Sequence, residues 1–446
     1  MGIKFVGASR LRWISAVLTA ALMVTLILSM IPAAAASQPL AELQSSAGAQ
    51  VLALPAGATS TSGLQAEIDQ ASPGATVHLP AGTFNGQLRV AKDLNLVGAG
   101  EGNTILQSPA KMVPDFLGNV FVIEVSDHAS VQISKITVEV TEQCMLANSI
   151  GVATGGGVDV RGDSTLTIWD VNLVAFGPYP NLNMPCTTHG SAGMLSFGRA
   201  ISIGLDDGPG IGSNVEVEGH GSIEHVSTVG FDIFSISVGG VRGPSGSTAT
   251  VENNLVRVGP GPYTAAYGIV VYGVSTVSNN LVVGVPGSDG GIAVVDTSAV
   301  VTNNKVNNFI CTSAPFPITP PCGVNPLTED QDLGIFLASI TPGTIVADNS
   351  IHHVDAGILV EGPAAPAAIV HNSITANTYY GLDLIDANQT FLHDVVVGGL
   401  YAIAVGAAGS NTTAILDQDT MHDYSIDLSL LEAVSPWVAK VVVEPY

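Results

Sequence analysis

The chain has 446 residues, 46% hydrophobic, 11% charged and 5% aromatic, with 50 glycines and a formal net charge of −24. So high an aliphatic content excludes a disordered chain, and the length suits one large all-β domain or two ordinary ones. The acidic balance excludes unaided binding of nucleic acid, anionic lipid or polyanionic glycans, although a Ca²⁺ ion held by carboxylate and carbonyl oxygens would reverse this locally.

At the N-terminus, Lys4, Arg10 and Arg12 precede the apolar run ISAVLTAALMVTLILSMI (14–31), and AAAAS (33–37) follows. This is the pattern of a secretory signal over residues 1–36. The apolar core is also long enough to serve as an uncut membrane anchor. Removing residues 1–36 takes away three basic residues and no acidic one, so the net charge becomes −27. We expect a secreted or cell-surface protein, monomeric, with no stable membrane insertion after cleavage. Residues 37–62 are rich in Ala, Ser, Gly and Thr and read as a linker. Residues 63–446 show no internal boundary.

Four cysteines fit an oxidising compartment. Cys311 and Cys322 bracket the Pro-rich TSAPFPITPP and would staple its base, which leaves Cys144 to pair with Cys186. No Cys or His spacing suggests zinc.

The middle and end of the chain repeat. GIVVYG (268), GIAVVD (291), GIFLAS (334), GILVEG (357), GLDLID (381), AIAVGA (402) and SIDLSL (425) start 21 to 24 residues apart, except for one step of 43 that contains the Cys311–Cys322 insertion. In phase with them run VENN, VSNN, VTNN, VADN and IVHN. A period in the low twenties predicts a solenoid. Val, Ile and Thr favour strands over the Leu-rich helical alternative. Each unit buries its apolar edge only against the next, about 4.8 Å away. The Asn pairs suit a left-handed bend and a hydrogen-bonded ladder between coils.

The segment LQAEIDQASPGATVHLPAGTFNGQLRVAKDLNLVGAGEGNTIL (64–106) has a short amphipathic helix, a Pro-Gly turn and then strands. It resembles the N-terminal cap of the pectin-lyase-like proteins, and the likeness extends over about residues 60–430. The resemblance implies an all-β, single-stranded right-handed parallel β-helix with a short N-terminal capping helix. It also implies a polysaccharide or cell-wall glycan along one sheet face, since proteins of this fold commonly bind glycans there. Fold alone does not fix an activity.

If the Gly-aliphatic units form that sheet, alternation sends every second residue outward. Extended upstream through GVDVR (157), AISIG (200) and GFDIF (230), one outward row holds Asp159, Ser202, Asp232, Val270, Ala293, Phe336, Leu359, Asp383, Ala404 and Asp427. The next holds Arg161, Gly204, Phe234, Tyr272, Val295, Ala338, Glu361, Ile385, Gly406 and Ser429. Asp159 and Asp232 would lie about 9–10 Å apart, near the upper limit for an inverting glycosidase. Asp159, Arg161, Asp206, Asp207 and Asp232 are therefore the candidate catalytic or cation-binding group. Tyr272, Phe336, Glu361 and Asp383 are candidate substrate contacts. The same acids would also keep an exposed sheet soluble. The apolar middle of the row calls for cover, and the insertion between Cys311 and Cys322 is placed to supply it.

Two further likenesses concern chemistry. LDD (205–207) followed by GHG (219–221) is similar to polygalacturonases, which would make Asp206 and Asp207 the acid/base pair and His220 their helper. The upstream Asn-Thr-Asp and downstream Arg-Ile-Lys of that family are absent. YYGLDLID (379–386) is similar to the active-site stretch of alginate epimerases, but Leu384 and Ile385 stand where that pattern has Pro and His. Such a base needs a titrating partner. The residues thus support a glycan-interacting exported protein. Its alternatives are a hydrolase or Ca²⁺-assisted lyase, with Arg161 as base, and a non-catalytic structural or adhesive scaffold.

Overall fold

The computed structural model describes residues 51–53, 61–114, 119–141, 143–146, 155–176, 193–196, 198–204, 219–231, 234–239, 245–259, 266–285, 288–311, 332–406, 412–423, 426–430 and 439–444. The expected signal segment lies outside them, within a unit that ends at Ala49. A second unit runs from Gln50 to Tyr446. No helix among the described residues is long and apolar enough to cross a membrane.

Helix α1 (Thr61–Gln70) turns Leu64 and Ile68 inward, one helical turn apart, and covers the end of the core. The short strand Val51–Ala53 pairs with Ala75–His78. Regular structure therefore begins inside the stretch expected to be a linker, because its Val-Leu-Ala can add to a sheet edge.

Twelve parallel strands form one continuous sheet in chain order. They are β1 (Leu88–Val90), β2 (Val120–Val125), β3 (Gly155–Val160), β4 (Arg199–Ile203), β5 (Phe234–Val238) and β6 (Tyr267–Val271), then β7 (Gly290–Val295), β8 (Leu333–Ala338), β9 (Ala356–Glu361), β10 (Tyr380–Ile385), β11 (Tyr401–Gly406) and β12 (Ile426–Leu430). Apart from one antiparallel pair, the intervening strands also pair in parallel, each with the strand one coil on. The chain is a right-handed parallel β-helix. Ile269, Ile292, Ile335, Ile358, Leu382 and Ile403 pair in register and fill the core at 0–2% exposure.

The repeated Gly marks a corner where two successive residues face inward. A Cβ on Gly291 would lie 2.2 Å from Cγ1 of Val306 and 2.6 Å from the carbonyl oxygen of Gly334. A Cβ on Gly334 would meet Ile351 and the Gly357 carbonyl in the same way. From β6 to β10 Gly fills this place, and the small Ala200, Ser235 and Ala402 fill it in β4, β5 and β11, whereas β2 has the larger Val122, fully buried.

The Asn pairs divide the two expected tasks between their members. The first takes the left-handed bend: Asn253, Asn279, Asn303, Asp348, His371 and His393 all have φ of 56°. The second is buried and forms the ladder. Nδ2 of Asn254 donates to Oδ1 of Asn280, and Asn280, Asn304 and Asn349 repeat this down to Asn372, each at 3.0 Å. Each Nδ2 also donates to a backbone carbonyl of the preceding coil. Every rung thus satisfies a buried amide that would otherwise cost about 1–3 kcal/mol.

Both expected disulfides have a member outside the described residues, Cys322 in one pair and Cys186 in the other. The main chain of Cys144 lies in an antiparallel pairing of Gln143–Leu146 with Gly193–Ser196.

Candidate functional site

The outer face of the twelve-stranded sheet carries a single column of residues in register. It reads Arg89, Glu124, Asp159, Ser202, Ser237, Val270, Ala293, Phe336, Leu359, Asp383, Ala404 and Ser429. The expected row holds at eight of these positions and shifts at two. Two coils after Asp159 the place belongs to Ser237, because the strand is FSISV and not GFDIF. At the C-terminal end Leu428, not Ile426, pairs with Ile403, which puts Ser429 where Asp427 was expected. At β5 a second apolar alternation lies downstream, at β12 the same alternation slips by two residues, and stacking selects the register in both.

Asp206, Asp207 and Asp232 lie outside the described residues. Asp159 and Arg161 do come together. The Arg161 guanidinium donates to Oε1 of Glu124, and its Nε lies 3.8 Å from Oδ2 of Asp159. Arg89 completes the group, with its Nε 3.7 Å from the same Glu124 oxygen and its Nη2 3.5 Å from Oδ2 of Asp127. Asp159 and Arg161 are buried, whereas Arg89 is 59% exposed. The sequence reading missed Arg89 and Glu124. Their strands, LRV and FVIEV, lack the Gly opening used for alignment, although the alternation in FVIEV places Glu124 outward.

These charges floor a groove of about 580 Å³. Helix α1 forms one wall with Gln65 and Asp69, and Val113, Pro114 and Phe121 form the other. The walls are fixed by side-chain amides. Gln65 donates to Arg89 O (3.0 Å) and accepts from Arg89 N (2.9 Å), while Gln87 donates to the carbonyls of Phe121 and Val113. The groove therefore presents charged and amide hydrogen-bonding groups beside an aromatic ring.

Further along, the face becomes apolar and is not bare. Phe234, Val270, Tyr272 and Ala293 form one buried cluster, joined by Tyr267 and Phe336, whose rings stack at 6.5 Å. Leu333, Leu359, Tyr380, Ile385 and Ala404 form a second, with Tyr380 stacked on Tyr401 at 5.4 Å. Tyr272 is thus buried, at 7% exposure, and not an open stacking platform. The insertion expected to cover this stripe lies outside the described residues. Phe234, Tyr267, Tyr380 and Tyr401 all enter from the residue before the corner, and the sequence signal for them was YG, YG and YA heading three of the units.

Asp383 lies in the second cluster with no exposure, and neither carboxylate oxygen has a hydrogen-bond partner. Burial first, and then the nearby Glu361 charge, push its pKa well above the usual carboxylate value. Glu361 is exposed and is itself raised by desolvation and by Asp386. Asp383 was expected to meet a ligand on an open face, but the apolar packing encloses it. Burial of this kind favours the protonated form of the acid.

His220 stands on a different sheet. Its Nδ1 lies 2.8 Å from Oγ1 of Thr248 and its Nε2 lies 2.9 Å from Oδ1 of Asp163. This chain of hydroxyl, imidazole and carboxylate crosses successive coils, and the strand N–H groups beside it are spent in sheet pairing. These contacts make His220 a rung that ties successive coils together. Among the described residues, no group of three or more His, Cys, Asp or Glu is placed to hold a metal ion.

No protein-family model matches the chain, and no curated protein sequence matches it. Solved structures do. The periplasmic alginate epimerase AlgG is 12% identical over 89% of this chain and 84% of its own, with a TM-score of 0.45. The catalytic domain of Agl-KA is 13% identical over 85% and 69%, with a TM-score of 0.43. The alginate lyase from Paenibacillus sp. str. FPU-7 is 12% identical over 88% and 99%, with a TM-score of 0.32. By its own strand pairing, this chain is a parallel β-helix protein whose outer sheet face is polar at its N-terminal end and apolar beyond.

Proposed function

We propose that this is an exported protein that binds a polysaccharide in the groove over β1 and β2, with Arg89 as the principal exposed contact. One observation carries the reading. The groove brings an exposed guanidinium, carboxylates and two side-chain amides together beside Phe121, which suits hydroxyl-rich rings that also have apolar faces. The acidic balance of the chain favours a neutral glycan, or an acidic one only with Ca²⁺ present. Asp159 lies buried and Arg161 meets the groove only as a nearly covered part of its floor, which supports binding over hydrolysis or elimination. A purely structural scaffold is the alternative, favoured by the enclosed apolar half of the face.

The test is retention on a panel of neutral and acidic polysaccharides, with Ca²⁺ and with EDTA, while reducing ends and unsaturated products are followed. Wild-type protein should be retained by at least one glycan without product, and Arg89→Ala should weaken retention at least about tenfold, the scale of one charge-assisted hydrogen bond. Equal retention of the variant would remove the groove from the function. Product formation would replace binding with catalysis, and silence on every glycan would leave the scaffold.

A further inference from the structure

No Lys or Arg stands between Lys305 and Lys440. The coils from β8 to β12 therefore hold their carboxylates with His as the only basic side chain. Within this stretch the ladder changes chemistry. After Asn372 its rungs are Asp394 and Asp419.

The geometry stays that of an amide. Oδ1 of Asp394 accepts from Asn372 N and from Asn372 Nδ2, at 2.6 and 3.0 Å, as every earlier Oδ1 does. Asp394 N donates to Oδ1 of Asp419 at 2.7 Å, as every earlier rung donates to the next. The remaining oxygen, Oδ2 of Asp394, stands at the place filled elsewhere by Nδ2 and is buried without a well-formed hydrogen bond, although the Leu392 N–H, like the Asn372 donors, favours the charged carboxylate. In every Asn rung the corresponding atom donates to the next Oδ1 and to a carbonyl of the coil before. Both targets are acceptors, so a bare carboxylate oxygen is repelled there and a protonated one completes the bond.

We propose that the C-terminal coils are locked by acid: a proton on Oδ2 of Asp394, donated toward Oδ1 of Asp419, completes the ladder, and its loss near neutral pH opens the last coils. Burial, chiefly, pushes Asp394 up to about 7 and Asp419 up to about 6. Both lie above the unfolded carboxylate value. Their contribution to stability is thus fully present below about pH 4 and is lost as pH rises through about 6 to 7. The surrounding charges pull in opposite directions. Asp417 faces Asp419 and raises it, whereas His393 lowers it. His371 stacks on His393 at 5.2 Å and lies 3.9 Å from Asp348, and His422 bonds Asp423.

The test is hydrogen exchange of the full-length protein at pH 4.5, 6 and 7.5, corrected for intrinsic rates, with Asp394→Asn beside wild type. Residues 388–422 of wild type should open at least about tenfold more at pH 7.5 than at 4.5, while residues 120–125 and 155–160 stay unchanged. Asp394→Asn, which supplies the missing donor permanently, should stay closed throughout. Equal protection of wild type at the two extremes overturns the proposal. So does an Asp394→Asn protein that keeps the pH dependence, or a dependence that high salt abolishes in wild type, since that would be general charge repulsion. Asp419→Asn, which keeps an acceptor on the last rung, gives a second reading. It should retain a dependence set by Asp394, and a complete loss would place the proton on Asp419 alone and overturn the assignment.

Discussion

At the N-terminal end of the outer face, Glu124 and Asp159 lie against Arg161 and Arg89. Seven coils beyond Asp159 in the same column, Asp383 sits among Leu359, Tyr380 and Ile385 with no basic side chain paired to it among the described residues. Both ends bury carboxylates on one sheet of one repeat, and they resolve the cost in opposite ways. The first sets a guanidinium against the carboxylates. The second has no such cation, and burial raises the pKa of its acid. Burial alone therefore says nothing about charge state, which follows from whether a cation is within reach.

The largest expected effect tests whether the two ends are coupled at all. Ile292 is fully buried midway along the stack. Ile292→Asp should cost more than about 4 kcal/mol by burying an unpaired charge, seen as a collapse of the thermal transition. If β2 and β3 keep their exchange protection in that variant, the ends are independent segments of a one-dimensional stack. An unchanged melting temperature would mean the inward register is wrong.

Removing the cation at the N-terminal end comes next. Arg161→Ala leaves Glu124 and Asp159 without their shared partner and should cost about 3–5 kcal/mol at pH 7, measured by denaturant unfolding. Arg161→Lys, which keeps a cation there, should recover part of the loss. A lysine variant as unstable as the alanine one would show that packing, not charge, is what Arg161 supplies.

At the other end the sign reverses. Asp383 has a raised folded pKa, so its stabilising protonated state is complete below about pH 4 and is eroded as pH rises. Asp383→Asn should be close to neutral at pH 4 and should stabilise by about 1 kcal/mol or more at pH 8, where the wild type carries the cost of ionising Asp383. A variant that is destabilised equally at both pH values would show that the carboxylate has a partner only it can satisfy.

The smallest effect on stability belongs to the exposed pair. Arg89 and Asp127 are 59% and 61% exposed. Arg89→Ala should change stability by no more than about 1 kcal/mol, even where it abolishes glycan retention. A larger loss would make Arg89 a structural member of the Arg161 group.

Much of this molecule follows from its sequence. The 21-to-24-residue spacing, the Val and Ile alternation and the Asn pairs determine a coil, its inward residues and its ladder, because each is a local pattern repeated against a copy of itself. The capping helix is legible for the same reason, from Leu64 and Ile68 alone. Three things needed the tertiary structure. Which of two overlapping alternations forms β5 and β12 is set by stacking on β4 and β11, so Ser237 and Ser429 displace the aspartates that the local pattern offered. The partnership of Arg89, Glu124 and Arg161 joins residues 35 to 72 positions apart that no motif links. Finally, the sequence places Asp159 and Asp383 in one outward row as equivalents, and only packing separates them. One is set beside a guanidinium and the other among aliphatic and aromatic side chains, and a carboxylate's charge is decided by what surrounds it in space.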